Sequence, residues 1–540
     1  MQRPASPGID PVVFWISGVI SVAFVAWGVL ATDNLSTVAG AVLDFVIANF
    51  GWVFILASFG FLAFSVYLAL SRYGKIRLGG ENERPEFRTV SWIAMMFSAG
   101  MGIGLMFFGV AEPIYHLGTP PHGLAKANTQ DAALLAMETS YFHWAFHPWA
   151  MYSVLGLALA YFCFRKGMPN LISTAFYPIL GERVYGPIGK TIDILAIFAT
   201  LFGSATSLGL GALQINGGLN YLWNVPSSTV VAIIVIAIMT AAFVVSAVSG
   251  VHRGIQWLSN TNMVLAVFLL VFVFVLGPTV FILNTFVESL GGYLAGLIPM
   301  SFRTAAFSDD AWLASWTIFY WAWWISWSPF VGTFIARISR GRTIREFVVG
   351  VILIPSMVSF VWFAILGGTA LNLELAGVGN ISGAVNEGLE NALFATLGQF
   401  PLASVMSVIA IVLVAFFFVS GADAASVVMG MLSSKGNIHP SRPVIIIWGT
   451  LTGAAAAIAL LADGLTGLQT AAILSAAPFV LIMVGLCFSL FKGLRSERVP
   501  GAVPERAAPE PGRAMSRPSG APAPQQMSAD NPQERGPHGG

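Results

Sequence analysis

The residues with the most suggestive chemistry form an aromatic run from Trp316 to Trp327, with five tryptophans and one tyrosine in twelve residues. On a helix, Tyr320, Trp323, Trp324 and Trp327 share one face, because they recur at i, i+3, i+4 and i+7. A tryptophan surface suits a cation without hydrogen-bond donors, such as a quaternary ammonium group. An interfacial aromatic belt is the alternative, but belts lie at helix ends and this run fills about three turns.

A second aromatic cluster, upstream, contains Trp144, Trp149 and Tyr152 around Pro148. Proline bends a helix at such a position, and the three rings fall within one broad sector of it. They could complete an aromatic box with Trp324. Ordinary packing is the competing interpretation of this cluster taken alone.

Few ionisable groups fall inside apolar segments. His143 and His147 have a spacing that metals favour, but no third ligand is near them in the sequence, so no metal site is predicted. The acids lie in loops or near helix ends, except Asp423, a functional candidate that could instead bond the free amides of a broken helix. No Lys or Arg lies deep in an apolar segment. A zwitterion with its cation among the rings and its carboxylate on helix amides therefore suits the site best.

The composition is that of a polytopic membrane protein. Of 540 residues, 56% are hydrophobic and 9% charged, against about 25% charged in soluble proteins. The two cysteines lie in apolar runs, which indicates neither a disulfide framework nor a metal site. The net charge of +1 gives no indication of a nucleic-acid partner.

Twelve segments are long and apolar enough to span a bilayer. They cover residues 12–31, 50–70, 90–111, 141–164, 191–213, 229–249, 259–283, 313–335, 347–371, 402–429, 444–461 and 471–491. The first is expected to be a retained helix, since no small-residue cleavage site follows it. Of the 26 Lys and Arg residues, all but Lys126 and Arg303 fall on one side of these segments. Both termini are therefore expected in the cytoplasm of a bacterial cell.

Helix-breaking residues interrupt two segments. Gly100, Gly102 and Gly104 would weaken the third one, although close helix packing could also use them. The stretch Ser326-Trp327-Ser328-Pro329 predicts a second break, in the eighth segment. Interrupted helices at matching positions indicate the substrate site of an inverted-repeat transporter. The predicted division is a short cytoplasmic N-terminus (1–11), two additional helices (12–89), a first repeat (90–283), an external amphipathic helix and loop (284–312), a second repeat (313–491) and a disordered cytoplasmic tail (492–540).

Two motifs resemble those of a known family. The aromatic run reads Trp-Thr-x-x-Tyr-Trp-x-Trp-Trp at 316–324, and the glycine run reads Gly-Met-Gly-Ile-Gly at 100–104. On these motifs the chain resembles the betaine/choline/carnitine transporters over residues 11–492, most of all the sodium-coupled glycine betaine carriers. Choline carriers of the family usually have Asp where this chain has Gly104. The resemblance implies an all-α membrane fold of twelve transmembrane helices, in which two inverted five-helix repeats (LeuT-like) follow two extra helices, usually as a homotrimer.

The resemblance also implies site residues. The substrate-binding positions correspond to Trp144, Trp149, Tyr152, Trp323, Trp324, Trp327, Met101 and Gly104, and the substrate path to Phe330 and Phe334. One sodium ion would be held at Ser98, Ala99, Met101, Ser204 and Phe330. A second would be held at Ser98, Met101, Phe417, Ser420 and Gly421. Sodium is the coupling ion in this interpretation, and no other cofactor is implied.

The chain departs from the family pattern at four places. Ser204 and Ser420 stand where sodium-coupled members often have Thr, and both keep a hydroxyl group. Gly421 stands where Ser is common, so one side-chain ligand is lost. The proline-rich stretch after Arg498 lacks the long basic helix of osmosensing members. Deleting residues 502–540 is therefore expected to leave transport intact.

The expected function is import of a small onium zwitterion such as glycine betaine, by sodium symport with alternating access across a bacterial inner membrane, for osmoprotection. A carrier of dimethylsulfoniopropionate, choline or carnitine, coupled to protons or acting as an exchanger, is the alternative. A channel should show polar pore-lining faces, and a sensor should have a folded signalling domain. An enzyme would need a metal cluster or a nucleophile–base pair, and neither pattern is found in the sequence.

Overall fold

The computed structural model describes residues 8–100, 102–249, 252–307 and 311–497. Within these ranges the chain is all-helical and contains no β-strand, and an isolated bridge between Arg77 and Thr343 joins two loops. The α-helices are α1 (Pro11–Leu30), α2 (Thr32–Leu70), α3 (Thr89–Gly100), α4 (Ile103–Gly118), α5 (Gln130–Trp144), α6 (Phe146–Ala160), α7 (Tyr177–Leu180), α8 (Pro187–Trp223), α9 (Thr229–Ser249), α10 (His252–Leu276), α11 (Thr279–Ser301), α12 (Ala311–Leu313), α13 (Phe319–Ile338), α14 (Ile344–Leu375), α15 (Ile381–Glu387), α16 (Ala392–Leu397), α17 (Ala403–Leu432) and α18 (Arg442–Arg495).

Eight helices of the described part are long and apolar enough to cross a membrane: α1, α2, α8, α9, α11, α14, α17 and α18. The 54-residue α18 covers both of the last two predicted segments and bends at Asp463 and Gly464. The other predicted segments fall on interrupted helices or on α10, which is apolar from Asn260 to Leu276. A polytopic all-α membrane fold is thus confirmed, whereas the count of twelve and the division into repeats stay predictions.

Some predicted boundaries differ from the structure. The predicted external amphipathic helix and loop at 284–312 overlaps the longer α11, one of the eight apolar helices. The predicted loop after α14 contains the short helices α15 and α16. Met101 and the tail from residue 498 lie outside the described residues.

The glycine run breaks the third predicted segment, as expected. Helix α3 ends at Gly100 and α4 begins at Ile103, while Gly102 between them is fully extended, with φ −174° and ψ −177°. Its missing side chain means that no capping group covers the first amides of α4. The break therefore leaves a helix N-terminus open in the middle of the protein.

The fourth predicted segment is also broken, three residues before Pro148. Helix α5 ends at Trp144 and α6 begins at Phe146, with Ala145 at φ −107° and ψ −113°. Proline has no N–H, so the Trp144 carbonyl loses its usual i+4 partner. The Ser359 hydroxyl donates to that carbonyl instead, at 2.8 Å. The bend expected at Pro148 is therefore a complete interruption at Ala145.

The predicted break at Ser326–Pro329 is wrong. Helix α13 runs without interruption from Phe319 to Ile338, with Pro329 inside it. The Ile325 carbonyl, which proline leaves without an N–H partner, accepts a hydrogen bond from the Ser328 hydroxyl at 2.7 Å. The irregular part of this segment comes earlier, as a π-helical turn over Ala314–Ile318.

Close helix crossings place α13 at the centre of the molecule, against α6 and α8. A Cβ atom on Gly156 would lie 3.0 Å from the Gly332 carbonyl oxygen, and one on Gly203 would lie 2.7 Å from the Ser326 hydroxyl. Small residues at such crossings let helix backbones approach in membranes. The aromatic side chains of α13 are thereby pressed against α4, α5 and α6, where Tyr320, Trp321 and Trp323 are fully buried.

Candidate substrate site

A cavity of about 260 Å³ lies between the α3–α4 break, the α5–α6 break and α13, with α8, α10 and α17 completing its wall. The predicted substrate-binding and path residues that line it are Trp144, Trp149, Tyr152, Trp323, Trp324, Trp327, Gly104, Phe330 and Phe334. Of the substrate-binding set, only Met101 lies outside the described residues. Cavities for drug-sized ligands measure about 300–1,000 Å³, so this one suits a smaller molecule.

The aromatic walls meet at Trp324. Its ring stacks on Trp323, with centroids 4.6 Å apart, and meets the Trp144 ring edge to face at 4.8 Å. Tyr152 approaches Trp324 at 6.4 Å and Trp149 at 5.3 Å. The structure therefore brings together the four residues of the predicted box, which come from α5, α6 and α13; Trp324 lies more than 150 positions after the other three in the sequence.

Gly104 belongs to the wall because its missing side chain makes room for two indoles. A Cβ atom there would lie 2.7 Å from Cη2 of Trp144 and 2.9 Å from Cη2 of Trp323. Real Cβ atoms do not come so close to a ring, so a larger residue would displace the indoles or leave the helix. This contact gives a physical reason for glycine at the position that the sequence comparison singled out.

The polar groups of the cavity are few and neutral. Among the described lining residues there is no Lys, Arg, Asp or Glu. Three lining residues carry buried oxygen atoms without a hydrogen-bond partner, namely Tyr152, Ser204 and Asn262. Gly102, Ile103, Gly104 and Leu105 bring the uncapped N-terminus of α4 to the same space. Such a terminus attracts anionic groups through its free N–H groups and helix dipole.

Six of the predicted sodium positions line the cavity. Those that line it are Ser98, Ser204, Phe330, Phe417, Ser420 and Gly421. The Ser204 hydroxyl is buried without a partner, whereas the Ser420 hydroxyl donates to the Phe416 and Phe417 carbonyls at 2.8 and 3.3 Å. The side chain of Ala99 lies outside the description, as does Met101. Asp423 is buried in α17 but does not line the cavity.

Sequence reasoning missed a buried acid, Glu112. The third predicted segment ends at residue 111, which places Glu112 at a helix end, and the structure contradicts this placement. Helix α4 continues to Gly118, and the Glu112 side chain is fully buried. Its carboxylate accepts hydrogen bonds from Trp144 Nε1 at 2.8 Å, Tyr320 Oη at 2.5 Å and His143 Nδ1 at 2.6 Å. The i, i+4 spacing of Glu112 and His116 on an apolar helix was the available signal.

The histidines occupy different surroundings. His143 joins Glu112 and Thr317, whereas His147 pairs with the Ser301 hydroxyl at 3.0 Å. The sequence shows no third metal ligand beside His143 and His147, but the fold brings Glu112 and His116 to His143, with ligand atoms within 4.8 Å of one another. The 2.6 Å distance between Glu112 and His143 is a hydrogen-bond length, shorter than about 3.3 Å, the ligand–ligand separation on a tetrahedral metal with 2.0–2.1 Å bonds. The cluster therefore has the geometry of a hydrogen-bond network.

Long apolar helices around an aromatic cavity, with no charged side chain among its described lining residues, indicate a multi-pass membrane transporter. Comparison with known proteins gives the family. The family model described as "BCCT, betaine/carnitine/choline family transporter" matches residues 12–499. The chain belongs to this family, and it is a transporter rather than an enzyme.

The names of individual relatives are consistent with this family. The chain is similar to a probable glycine betaine transporter of Desulfitobacterium hafniense, with 48% identity over 90% of this chain and 97% of the relative. It is also 48% identical to the glycine betaine transporter OpuD of Bacillus subtilis, over 90% of this chain and 94% of that protein. An ectoine/hydroxyectoine transporter of Virgibacillus pantothenticus is 43% identical over 87% of this chain and 94% of its own length.

Proposed function

We propose that this protein imports a small onium zwitterion of the glycine betaine type by sodium symport with alternating access. The observation that carries the proposal is the cavity, whose described lining combines the rings of Trp144, Trp149, Tyr152 and Trp324 with no charged side chain. A substrate with a net charge would enter this space without a partner of opposite charge, at a large cost in desolvation. A zwitterion with zero net charge and a methylated cation avoids that cost.

The two poles of such a substrate have distinct partners. The trimethylammonium group has no N–H donor, so it gains from aromatic faces, each contributing about 0.5–2 kcal/mol when water is excluded. The carboxylate can face the open amides at the start of α4, beginning beside Gly102. Trp144 lines the cavity near this terminus, since its ring contacts the position of Gly104. The site therefore offers both partners within the length of one small molecule.

Sodium coupling rests on oxygen ligands beside the substrate space. The hydroxyls of Ser98, Ser204 and Ser420 line the same cavity, and hard cations prefer oxygen. The unpartnered Ser204 hydroxyl supports a role as a sodium ligand.

We further propose twelve membrane spans with two inverted five-helix repeats, and cytoplasmic termini in a bacterial inner membrane. The protein would act as a homotrimer with a role in osmoprotection. The names of the glycine betaine relatives support the substrate class.

The test is uptake of radiolabelled glycine betaine into proteoliposomes that contain the purified protein. With an inward sodium gradient we expect accumulation, which collapses when potassium replaces sodium. Equal uptake in potassium would overturn sodium symport and favour proton coupling or exchange. Competition of labelled betaine with unlabelled choline, carnitine and dimethylsulfoniopropionate ranks the alternative substrates. If the proteoliposomes accumulate neither betaine nor any of these three compounds, the proposed substrate class is wrong.

Ectoine is a second candidate, favoured by the similarity to the Virgibacillus ectoine/hydroxyectoine transporter. Its cationic ring carries N–H donors, which need an acceptor. The buried Tyr152 hydroxyl has no partner and could accept one of them. Labelled ectoine in the same proteoliposomes decides this point. If Tyr152 accepts such a bond, Tyr152→Phe should weaken ectoine uptake more than betaine uptake.

A further inference from the structure

Glu112 anchors two rings of the aromatic region from behind. One carboxylate oxygen accepts the Trp144 indole N–H and the Tyr320 hydroxyl, and the other accepts a bond from His143. An indole N–H can only donate, and an ionised carboxylate can only accept, so the two groups fit without ambiguity. Bonds of this kind to a charged acceptor are among the stronger hydrogen bonds in proteins.

Of the two anchored rings, Trp144 lines the cavity and Tyr320 packs behind Trp324, which lines it. Glu112 is absent from the cavity lining. Trp144 meets Trp324 edge to face at 4.8 Å, and Tyr320 stacks on the same ring at 5.8 Å with an interplanar angle of 17°. The two hydrogen bonds of one carboxylate oxygen thus fix two of the rings that pack against Trp324. A shift of Glu112 would change the angle at which Trp144, and Trp324 beside it, face a substrate.

We propose that Glu112 is a positioning residue that sets the preference of this site for a positively charged head group over a neutral one of the same shape. The inference rests on the proposed function, since it concerns how the onium pole is recognised. Attraction between a cation and a ring depends on the cation lying over the ring face, whereas apolar contact depends far less on angle. A negative charge hydrogen-bonded behind Trp144 also favours positive charge on its far side.

Replacing Glu112 by Gln removes the charge and disturbs the network. A Gln side chain has one acceptor oxygen and an amide that donates. It therefore cannot accept bonds from all of the donors that converge on the carboxylate. We expect the rings to lose their common orientation, which weakens the cation–ring attraction most.

The experiment compares two ligands of equal shape on purified protein. Glycine betaine carries a quaternary nitrogen, and 3,3-dimethylbutanoate has carbon at that position. Isothermal calorimetry gives Kd for both with the wild-type protein and with Glu112→Gln. We expect the wild type to bind betaine more tightly than 3,3-dimethylbutanoate. In the variant, the ratio of the two Kd values should fall about tenfold. An unchanged ratio of the two Kd values in Glu112→Gln would overturn the inference.

Asp193 provides the matched control. It is another buried acid, which accepts bonds from the Ser173 amide at 3.0 Å and the Ser173 hydroxyl at 2.6 Å, and it does not line the cavity. Asp193→Asn should lower the melting temperature without changing the ratio of the two Kd values. A general loss of packing in Glu112→Gln would weaken the binding of both ligands equally. The ratio of the two Kd values would then stay at the wild-type value, which counts against the inference.

A second variant keeps the inference testable if Glu112→Gln does not fold. Tyr320→Phe retains the ring that stacks on Trp324 and removes only the hydroxyl that Glu112 accepts. We expect a smaller loss of preference in the same direction, and a combined variant whose loss is less than the sum of the two. A full wild-type preference in Tyr320→Phe would contradict the mechanism. A wild-type protein that binds no betaine would instead refute the proposed function, so the two failures are distinct.

Discussion

Trp324 offers the sharpest test of the aromatic site. Its side chain is 4% exposed, forms the junction of the aromatic walls and donates its indole N–H to the His143 carbonyl at 3.0 Å. Replacing it with Leu retains part of the bulk and removes the ring face. A cation–ring contact contributes about 0.5–2 kcal/mol, and 1.4 kcal/mol corresponds to a factor of ten in affinity. The Kd for betaine should therefore rise by roughly two- to thirtyfold.

The same substitution has a second, separable effect on stability. Without the indole N–H, the His143 carbonyl loses its donor at the α5–α6 break, which costs about 1–3 kcal/mol for a buried polar group. Trp324→Phe loses that hydrogen bond as well but keeps a ring. We expect Leu and Phe variants with similarly lowered melting temperatures, and a clearly weaker affinity only in the Leu variant.

Calorimetric titration of betaine and a thermal melt in the same detergent measure both effects. Trp448→Leu is the control, since Trp448 is fully buried and donates to the Ser433 hydroxyl at 3.0 Å but does not line the cavity. That variant should lose stability and keep the wild-type Kd. A Trp324→Leu protein that binds betaine with the wild-type Kd would remove the aromatic box from the explanation of substrate binding.

Three further predictions concern the ion, the cavity wall and the end of α18. Ser204→Ala should raise the sodium concentration for half-maximal uptake several-fold; an unchanged sodium curve would exclude its hydroxyl as a ligand. Gly104→Ala should raise the Kd for betaine several-fold, because its Cβ atom would press on two indoles, whereas Gly109→Ala, which meets Trp362 away from the cavity, should lower only the melting temperature. Burial alone would raise the pKa of Glu497, but hydrogen bonds outweigh it and lower the pKa to about 2; the donors are Arg165, Lys166 and Tyr161. Its stabilising effect is therefore present above the ordinary pKa of about 4.3 and is lost as pH falls toward 2. The melting-temperature difference between wild type and Glu497→Gln should shrink over that range, and a constant difference would contradict the assignment.

The sequence was informative where a pattern is local. The membrane fold followed from composition and segment length, and the box residues followed from helical spacing together with the family motif. The break at Gly102 followed from three closely spaced glycines that no helix favours. The glycine run and each of the two aromatic clusters span no more than about three helical turns, which explains why each could be recognised without coordinates. The contact between the two clusters is a tertiary one.

The errors came from hydrogen-bond partners that the sequence patterns did not reveal, one of them local and the others distant in the sequence. Pro329 predicted a break, but Ser328 satisfies the carbonyl that the proline leaves free, so α13 continues. Glu112 was placed at a helix end because a charged residue usually ends an apolar run. Its burial depends on donors from α5 and α13, brought together only by the tertiary fold. A buried charge can be predicted only when its partners are known.

The helix break and the aromatic box depend on each other. The helix break at Ala145 leaves the His143 and Trp144 carbonyls without the backbone N–H donors that a continuous helix would supply. In a membrane such groups must form hydrogen bonds within the protein. The Trp324 indole N–H bonds the first carbonyl and the Ser359 hydroxyl bonds the second. Trp324 is thus a wall of the cavity and also a cap for α5. Because Trp144 is itself the last residue of α5 and is anchored by Glu112, the position of the broken helix determines the position of the rings. A movement of α5 would therefore change the aromatic site directly.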